Sequence, residues 1–595
     1  MKLASKAWLW GSILFVIVFV GLAAISATTS EVDRLWLNAP GWSRAQLVSD
    51  TSVRQPVAVA LDETGGIYLF TFEQKGSAHR ARVVALDRAA NVVWEHTLDG
   101  TFAKPQSPEI LWDEQGLHLL WLDDGGLYAA RVDVSGNSLD APALLSGGRR
   151  VGDYDLVTGP GGTTIWYGGT RREPGVYTRP LQDPSARATL VDGEGLQPSV
   201  EVDSEGSLHA TWVTYPPLGH QPSLYYAAYP GGTYAPGQQA LVRDLTLERD
   251  STMMGPWIGI DEEQVYLIWT ESFQSHEHGY LTQTEYVSFP PQEPGQASDT
   301  KLITVPNTGN LSYEPFTEDA LAAGQRVSLT SGRYSRTVVP VDVSVYSPEA
   351  GAETVLALRA DLRHQRANAV GQIGTLFMES GAPASYQLLT FNPKFSQGPA
   401  LASDDTGHLY VTWIERKEEI PGYQVYLAST AADLRQALDP LTRGDTGRMV
   451  TNTFFGMLTG AVFFPIAMLL WLVLPSLILA VTWPFRRHSE SLTSRASLLS
   501  IALALLAYWG VKLVTFSQAG GYVPFSGWIP IIPSWLGIVL QVGMPIITAL
   551  ISFATAWYAV KRLHNKSAVV FVIIYALVDS LLTMAVYGGL LYDAF

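Results

Sequence analysis

The feature that most constrains this chain is an internal repeat. One pattern recurs between residues 56 and 413: Pro, a short apolar run, Asp-x-x-Gly, a second apolar run, then an aromatic residue. It reads PVAVALDETGGIYLFTF from Pro56, PEILWDEQGLHLLW from Pro108 and PSVEVDSEGSLHATW from Pro198. It returns as PWIGIDEEQVYLIW from Pro256 and PALASDDTGHLYVTW from Pro399, with a degraded copy, YDLVTGPGGTTIWY, at Tyr154. In most copies the first run ends at an Asp, and Gly supplies the backbone angles of a hairpin turn. The second run is apolar on both faces, as in a sheet sandwiched between neighbouring sheets. A third run follows (GLYAARVDV, SLYYAAY, YQVYLAST), and often a fourth (ALLSGG, ATLVDG, ALVRD). Four strands per unit of 45–60 residues is the signature of a β-propeller blade.

Starts at residues 56, 108, about 153, 198, 256 and 399 mark six blades, and residues 306–391 hold one long blade or two. Seven blades are expected, with six or eight as the alternatives. The outermost strand of the ring is expected from AQLVSD, residues 45–50, because pairing the two ends of the chain protects its edges. Within the repeat, Asp62, Asp113, Asp203, Asp261 and Asp405 read as turn residues, and Trp121, Trp212, Trp269 and Trp413 as packing residues. His118 and His209 align with Tyr68, Tyr266 and Tyr410, which marks a packing position with a polar tip.

The DxxG hairpin followed by an aromatic resembles the Asp-box (BNR) repeats of the sialidase-like propeller superfamily. NHL-type propellers carry a similar DxxGxxY turn, so the subfamily stays open. The Ser or Thr two residues before the Asp of an Asp box is mostly absent here. The resemblance implies a propeller fold and, in its enzymes, an arginine cluster for a substrate carboxylate, a Tyr–Glu pair and an Asp acid. Arg54, Arg131, Arg149, Arg171 and Arg333 are available, but none sits in a matching motif, so no catalytic residue is assigned.

Either side of the repeat the chain changes character. Residues 7–25, AWLWGSILFVIVFVGLAAI, are 19 uncharged residues behind Lys2 and Lys6, read as an N-terminal signal anchor, with a cleaved signal peptide as the alternative. Four more apolar stretches follow at 453–483, 497–516, 534–560 and 567–588. Arg486, Arg487 and Arg495 lie between the first two, and Lys561, Arg562 and Lys566 between the last two; residues 517–533 carry no charge. By the positive-inside rule, loops 484–496 and 561–566 are cytoplasmic. The expected organisation is therefore an anchor (1–27), an extracytoplasmic β-propeller (28–448) and a four-helix transmembrane domain (449–595) in a multi-pass cell-membrane protein. The middle part holds 52 acids against 30 bases, a net of −22, and the flanking parts carry +6.

These numbers exclude several functions. The chain has no cysteine, so disulfides, thiol chemistry and Cys-ligated metals are ruled out. An acidic exported domain argues against a nucleic-acid partner. No GxxxxGK[ST], GxSxG or HExxH motif occurs. His276 and His278 flank Glu277 without a third ligand, and Asp123–Asp124 and Asp404–Asp405 read as hairpin turns rather than calcium sites. No cofactor is expected.

Two charges lie inside apolar stretches: Lys512 in LAYWGVKLVTF and Asp579 in YALVDSLLTM. Buried charges in a bilayer are costly and usually paired or functional. Counted from residues 497 and 567, the two lie at depths about 5 Å apart at 1.5 Å per residue, which a Lys stem can bridge, so they are a candidate intramembrane ion pair; the alternative is that Lys512 snorkels to the outer surface and Asp579 faces a partner subunit. The whole reads as a membrane-anchored binding or scaffolding module, not primarily an enzyme. Its expected partners are the bilayer and either an extracellular ligand or a membrane-protein subunit. A membrane-tethered sialidase-like hydrolase and an accessory subunit of a transport or envelope-assembly complex are the alternatives.

Overall fold

In the computed structural model, the described residues run from 34 to 587. Left aside are 36, 38, 184–185, 217–220, 249, 276–278, 308–325, 330–336, 348–352, 364–368, 392–393, 418–421, 487–491, 516–521, 526–527, 530–531, 533 and 564–566. The N-terminal apolar segment, Arg333 and the His276–His278 pair lie outside the described residues. The chain divides into two compact units, Val32–Pro440 (except 365–367) and the helical part from Leu441 onward.

The first unit is a seven-bladed β-propeller. Blades 1–5 are four-stranded antiparallel sheets whose strands follow in sequence, with innermost strands Ala58–Leu61, Gln106–Asp113, Asp153–Gly159, Gly195–Val202 and Thr252–Ile260. Residues 306–391 hold one blade. Its innermost strand is Val341–Tyr346, and its outer edge is Val327–Ser328, from upstream in the sequence. Blade 7 begins at Ser396–Ser403 and is completed by Ala45–Thr51, which pairs with Tyr423–Ser429 (Gln46 opposite Leu427, Thr51 opposite Tyr423). Each innermost strand packs against that of the next blade, and blade 7 against blade 1, so the ring closes on itself. Helix α1 (Ala432–Leu438) seals this junction: Leu434 and Leu438 join Val48, Ile67 and Ile414 in one core.

Five innermost strands share a device hidden in the repeat. Their register slips at a residue of positive φ, which in four of them immediately precedes the repeat's Pro (Ser107, Gln197, Gly255 and Gly398) and in the fifth is Asp342. Each slip is a β-bulge, which bends the strand and re-aims the residues that follow. The recurring Pro thus marks the bulge, since it fits where ladder pairing is already interrupted.

The aspartates brace the turns as their chemistry requires. In blade 1 Asp62 Oδ1 accepts from the Thr64 and Gly66 amides (both 2.8 Å), and Oδ2 accepts from the Tyr68 hydroxyl (2.7 Å). His118 and His209 make the equivalent contact, each with Nε2 2.9 Å from Asp113 or Asp203, and Tyr266 donates to Asp261. In blade 7 the bracing residue is Asp404, not Asp405. Asp404 Oδ1 accepts from the Thr406 and His408 amides (both 3.0 Å) and Oδ2 from Tyr410 (3.3 Å), while Asp405 is exposed. A doubled Asp gives two candidates, and only the first has the five-residue distance from Pro399 that Asp113, Asp203 and Asp261 keep from Pro108, Pro198 and Pro256.

Trp121, Trp212, Trp269 and Trp413 are at most 1% exposed. Three of them stack on the tyrosine directly opposite on the third strand: Trp121 on Tyr128 (5.9 Å), Trp212 on Tyr225 (6.3 Å) and Trp413 on Tyr426 (5.8 Å). Such cross-strand aromatic pairs are worth roughly 0.5–1.5 kcal/mol beyond their area.

The second unit is helical. Helix α2 (Arg443–Val462) starts with a capping box, in which Thr442 and Asp445 exchange side-chain-to-backbone hydrogen bonds. It abuts α3 (Phe464–Val481) at Phe463, and the short α4 (Trp483–Arg486) follows. The stretch 453–483 is thus two helices rather than one, because Pro465 opens α3 where an interior proline would break a helix. Then come α5 (Arg495–Thr515), α6 (Ser534–Arg562) and α7 (Ala568–Val586). Among the described residues, α3, α5, α6 and α7 are long and apolar enough to cross a membrane. Their shared core joins Trp471, Ala504, Tyr508, Ala556, Phe571 and Tyr575, while long apolar side chains such as Leu469, Leu506 and Leu550 face outward.

Candidate functional site

Two groups of polar side chains stand out, one in each unit. The first lies on the innermost strands of blades 2 and 3. Glu109 directly follows Pro108, a place occupied by Val57, Ser199, Trp257 and Ala400 in other copies. Asp153 and Asp155 are two residues apart on the next inner strand, so the period of two puts them on one face. Innermost strands line the centre of the ring, so these carboxyl groups belong to the channel wall. All three keep partial exposure although protein surrounds them.

Their environments differ. Asp155 is held by donors: Ser199 Oγ (2.9 Å) and the Val200 amide (2.8 Å) reach Oδ2 from blade 4, and the Leu156 amide (2.8 Å) reaches Oδ1. Burial pushes its carboxyl up to about 6 against these bonds. Burial, with the neighbouring Asp155 charge, pushes Asp153 up to about 7, although the Tyr154 amide donates to it. Glu109 makes no side-chain hydrogen bond among the described residues; burial first, then the charges of Asp155 and Asp153, raise it well above the usual range. Tyr154, on the opposite face of the strand, is buried and donates to the Ser107 carbonyl of blade 2. The turn aspartates behave oppositely. Burial also acts to raise Asp62, but the Thr64 and Tyr68 hydroxyls and the turn amides outweigh it and hold Asp62 below its ordinary value. The channel acids are therefore the ones whose charge is poorly compensated, a property that clusters at functional sites. At near-neutral pH Asp153 and Asp155 offer both O–H donors and oxygen acceptors. No group of three or more His, Asp or Glu able to hold a metal ion occurs among the described residues.

The second group lies in the helical unit. Tyr508 and Lys512 are four residues apart on α5, and Tyr575, Asp579 and Thr583 are spaced by four on α7, so each set forms a ladder on one helix face. Lys512 Nζ donates to Asp579 Oδ2 (2.6 Å) and Thr583 Oγ1 (2.7 Å), and the Tyr508 hydroxyl donates to Asp579 Oδ2 (2.9 Å). The ammonium also lies 4.6 Å from the Trp509 ring centre and 5.3 Å from that of Trp471. Asp579 is fully buried, and its Oδ1 has no donor among the described residues.

The arginines named in the sequence are dispersed. Arg54 donates to Gln397 (2.8 Å) between blades 1 and 7, and Arg131 pairs with Asp140 within blade 2. Arg149 and Arg171 stack on Tyr177 and Tyr215 at blades 3 and 4. Asp123 accepts from the Lys104 amide (2.6 Å) and Asp124 takes a positive φ, as turn residues do. Sequence reasoning missed Glu109, Asp153 and Asp155. The available signal was a carboxylate where the other copies place an uncharged residue.

No protein-family model matches this chain, and no curated protein matches it. Among solved structures it is similar to polysaccharide lyase Uly1, at 10% identity over 64% of this chain and 91% of that one, TM-score 0.42. It is similar to a PL25 ulvan lyase bound to -[GlcA(1-4)Rha3S]- (10% identity, 66% and 99% covered, TM-score 0.41). A third is the α-L-arabinofuranosidase arb93a from Fusarium graminearum (9% identity, 67% and 97% covered, TM-score 0.34). Likenesses this distant carry no argument about what this chain does. The class defined by its own structure is a seven-bladed β-propeller followed by a helical region with four candidate membrane-spanning helices.

Proposed function

We propose that this chain is a membrane-anchored binding protein whose propeller, on the extracytoplasmic side, receives a hydroxyl-rich ligand such as a saccharide at the wall of its central channel. The observation that carries this reading is the group Glu109, Asp153 and Asp155, whose carboxyl groups protein surrounds and whose proton affinity is raised. Partly protonated carboxyls act as neutral donors and acceptors, which suits sugar hydroxyls. Sidedness rests on the basic connections at 484–496 and 561–566.

A second reading, a hydrolase acting on the same ligand, is favoured by one contrast. Asp155 is anchored by three donors, while Glu109 has none among the described residues. A hydrogen-bonded carboxyl near one without donors is the kind of contrast between two carboxyl groups that glycoside hydrolysis uses.

One experiment separates the two. Full-length protein in nanodiscs is offered a saccharide panel at pH 5 and pH 8, and both retention and new reducing ends are measured. Retention without product supports the binding reading. Product that disappears in Glu109→Gln supports the hydrolase. Neither retention nor product at either pH refutes both.

A further inference from the structure

The propeller is strongly acidic, yet four arginines gather beside the channel carboxylates. Arg149 and Arg150 precede the innermost strand of blade 3, and Arg171 and Arg172 form the turn between its second and third strands. Register places both at one end of the blade. Asp153 lies opposite Gly168, and Thr170 opposite Glu173 across the turn. All four arginines are exposed, and none forms an ion pair among the described residues. In a segment with 52 acids and 30 bases, unpaired arginines clustered at one edge stand apart from the surrounding charge.

Two of them are pre-organised. The Arg149 guanidinium stacks over the Tyr177 ring (4.5 Å to its centre) and donates to a tyrosine hydroxyl, that of Tyr177 (Nη1 to Oη, 2.5 Å). Tyr177 in turn stacks on Tyr167 (5.5 Å). Arg171 stacks over Tyr215 of blade 4 (4.0 Å). A guanidinium fixed by its face keeps edge donors for an oxyanion and loses little freedom on binding one. Arg149, Arg150, Tyr167, Gly169, Glu173 and Tyr177 line a small pocket there. Gly169 is required, because a Cβ would come within 2.0 Å of the Glu173 carbonyl oxygen.

We propose that this arginine edge binds the sulfate or carboxylate substituents of an acidic saccharide whose hydroxyls meet the channel carboxyls. The site rests on the saccharide reading above, and names its substrate class. Carboxyls at the channel and guanidiniums at the edge divide one ligand by chemistry, hydroxyls to the first and oxyanions to the second.

The test is equilibrium binding of the full-length protein in nanodiscs to dextran, dextran sulfate, polygalacturonate and inorganic polyphosphate, at low and high salt. Wild type is compared with Arg149→Ala/Arg150→Ala and Arg171→Ala/Arg172→Ala. These side chains are exposed, and an unchanged melting temperature verifies folding. At least one acidic saccharide is expected to bind tenfold or more tighter than dextran. Each double variant is expected to lose that advantage, leave dextran unchanged and flatten the salt dependence. Equal affinity for dextran and both acidic saccharides, or acidic-saccharide binding unchanged in the variants, overturns the site. Binding of polyphosphate alone, lost in the variants, keeps an oxyanion site but refutes the saccharide reading and with it the proposal as framed.

Discussion

Removing Asp579 leaves the Lys512 ammonium buried without its counter-ion. Lys512 is 6% exposed and Asp579 fully buried, at 2.6 Å, so neither can reach solvent without repacking α5 against α7. Breaking a buried pair from one side costs about 3–5 kcal/mol, whereas replacing both partners by apolar residues of similar volume is often near neutral. Asp579→Leu is therefore expected to destabilise the helical unit by about 3–5 kcal/mol. Lys512→Met alone is expected to cost less, because Asp579 keeps the Tyr508 hydroxyl as a donor. Lys512→Met/Asp579→Leu is expected within about 2 kcal/mol of wild type, giving a coupling of at least about 1 kcal/mol. The chain has no cysteine, so a single Ala504→Cys, buried in the helical core, reports opening of this unit alone through the rate of thiol alkylation in detergent. Costs that simply add in the double variant would refute the argument that the two charges stabilise each other.

Other consequences follow from the propeller. The raised channel carboxyls bind protons more tightly when folded, so their contribution is present below the unfolded values near 4 and is lost as pH rises through about 6–7, the values of Asp155 and Asp153. Denaturation of the propeller should show this loss, and Glu109→Gln should reduce it, raising stability at pH 8 relative to wild type. Asp404→Ala should cost about 1–2 kcal/mol and Asp405→Ala less than about 0.5 kcal/mol, read by the same denaturation. Trp212→Ala should cost about 3–5 kcal/mol, since it empties a fully buried site and leaves the Asp192 carboxylate without the Nε1 donor. Deleting residues 34–51 should abolish cooperative unfolding of the ring, because it strips the outer strands of blade 7.

The repeat made the blades legible because each copy satisfies the same local demands: an Asp for the turn, a Tyr or His to brace it and an aromatic for the sandwich. Residues 306–391 were ambiguous for a physical reason. That blade has no DxxG turn, and it takes its edge from Val327–Ser328, before its own inner strand. The Lys512–Asp579 contact could be anticipated because helix rise fixes depth, whereas Tyr508 and Thr583 emerged only from their i,i+4 positions once the helices were packed. The channel carboxylates were illegible as a group because Glu109 and Asp153 lie 44 residues apart in sequence, and only ring geometry brings adjacent inner strands together. The doubled Asp404–Asp405 misled because composition alone cannot say which carboxylate faces the turn amides.

The central claim is that ligand meets the protein at the inner strands of blades 2 and 3. Hydrogen exchange on the full-length protein in nanodiscs, with and without the saccharide retained in the panel, tests it directly. Slowed exchange is expected in Gln106–Asp113 and Asp153–Gly159, with the outer strand Ser138–Leu144 unchanged and the effect weakened in Glu109→Gln. Protection confined to the outer strands, or to the helical unit, would contradict it.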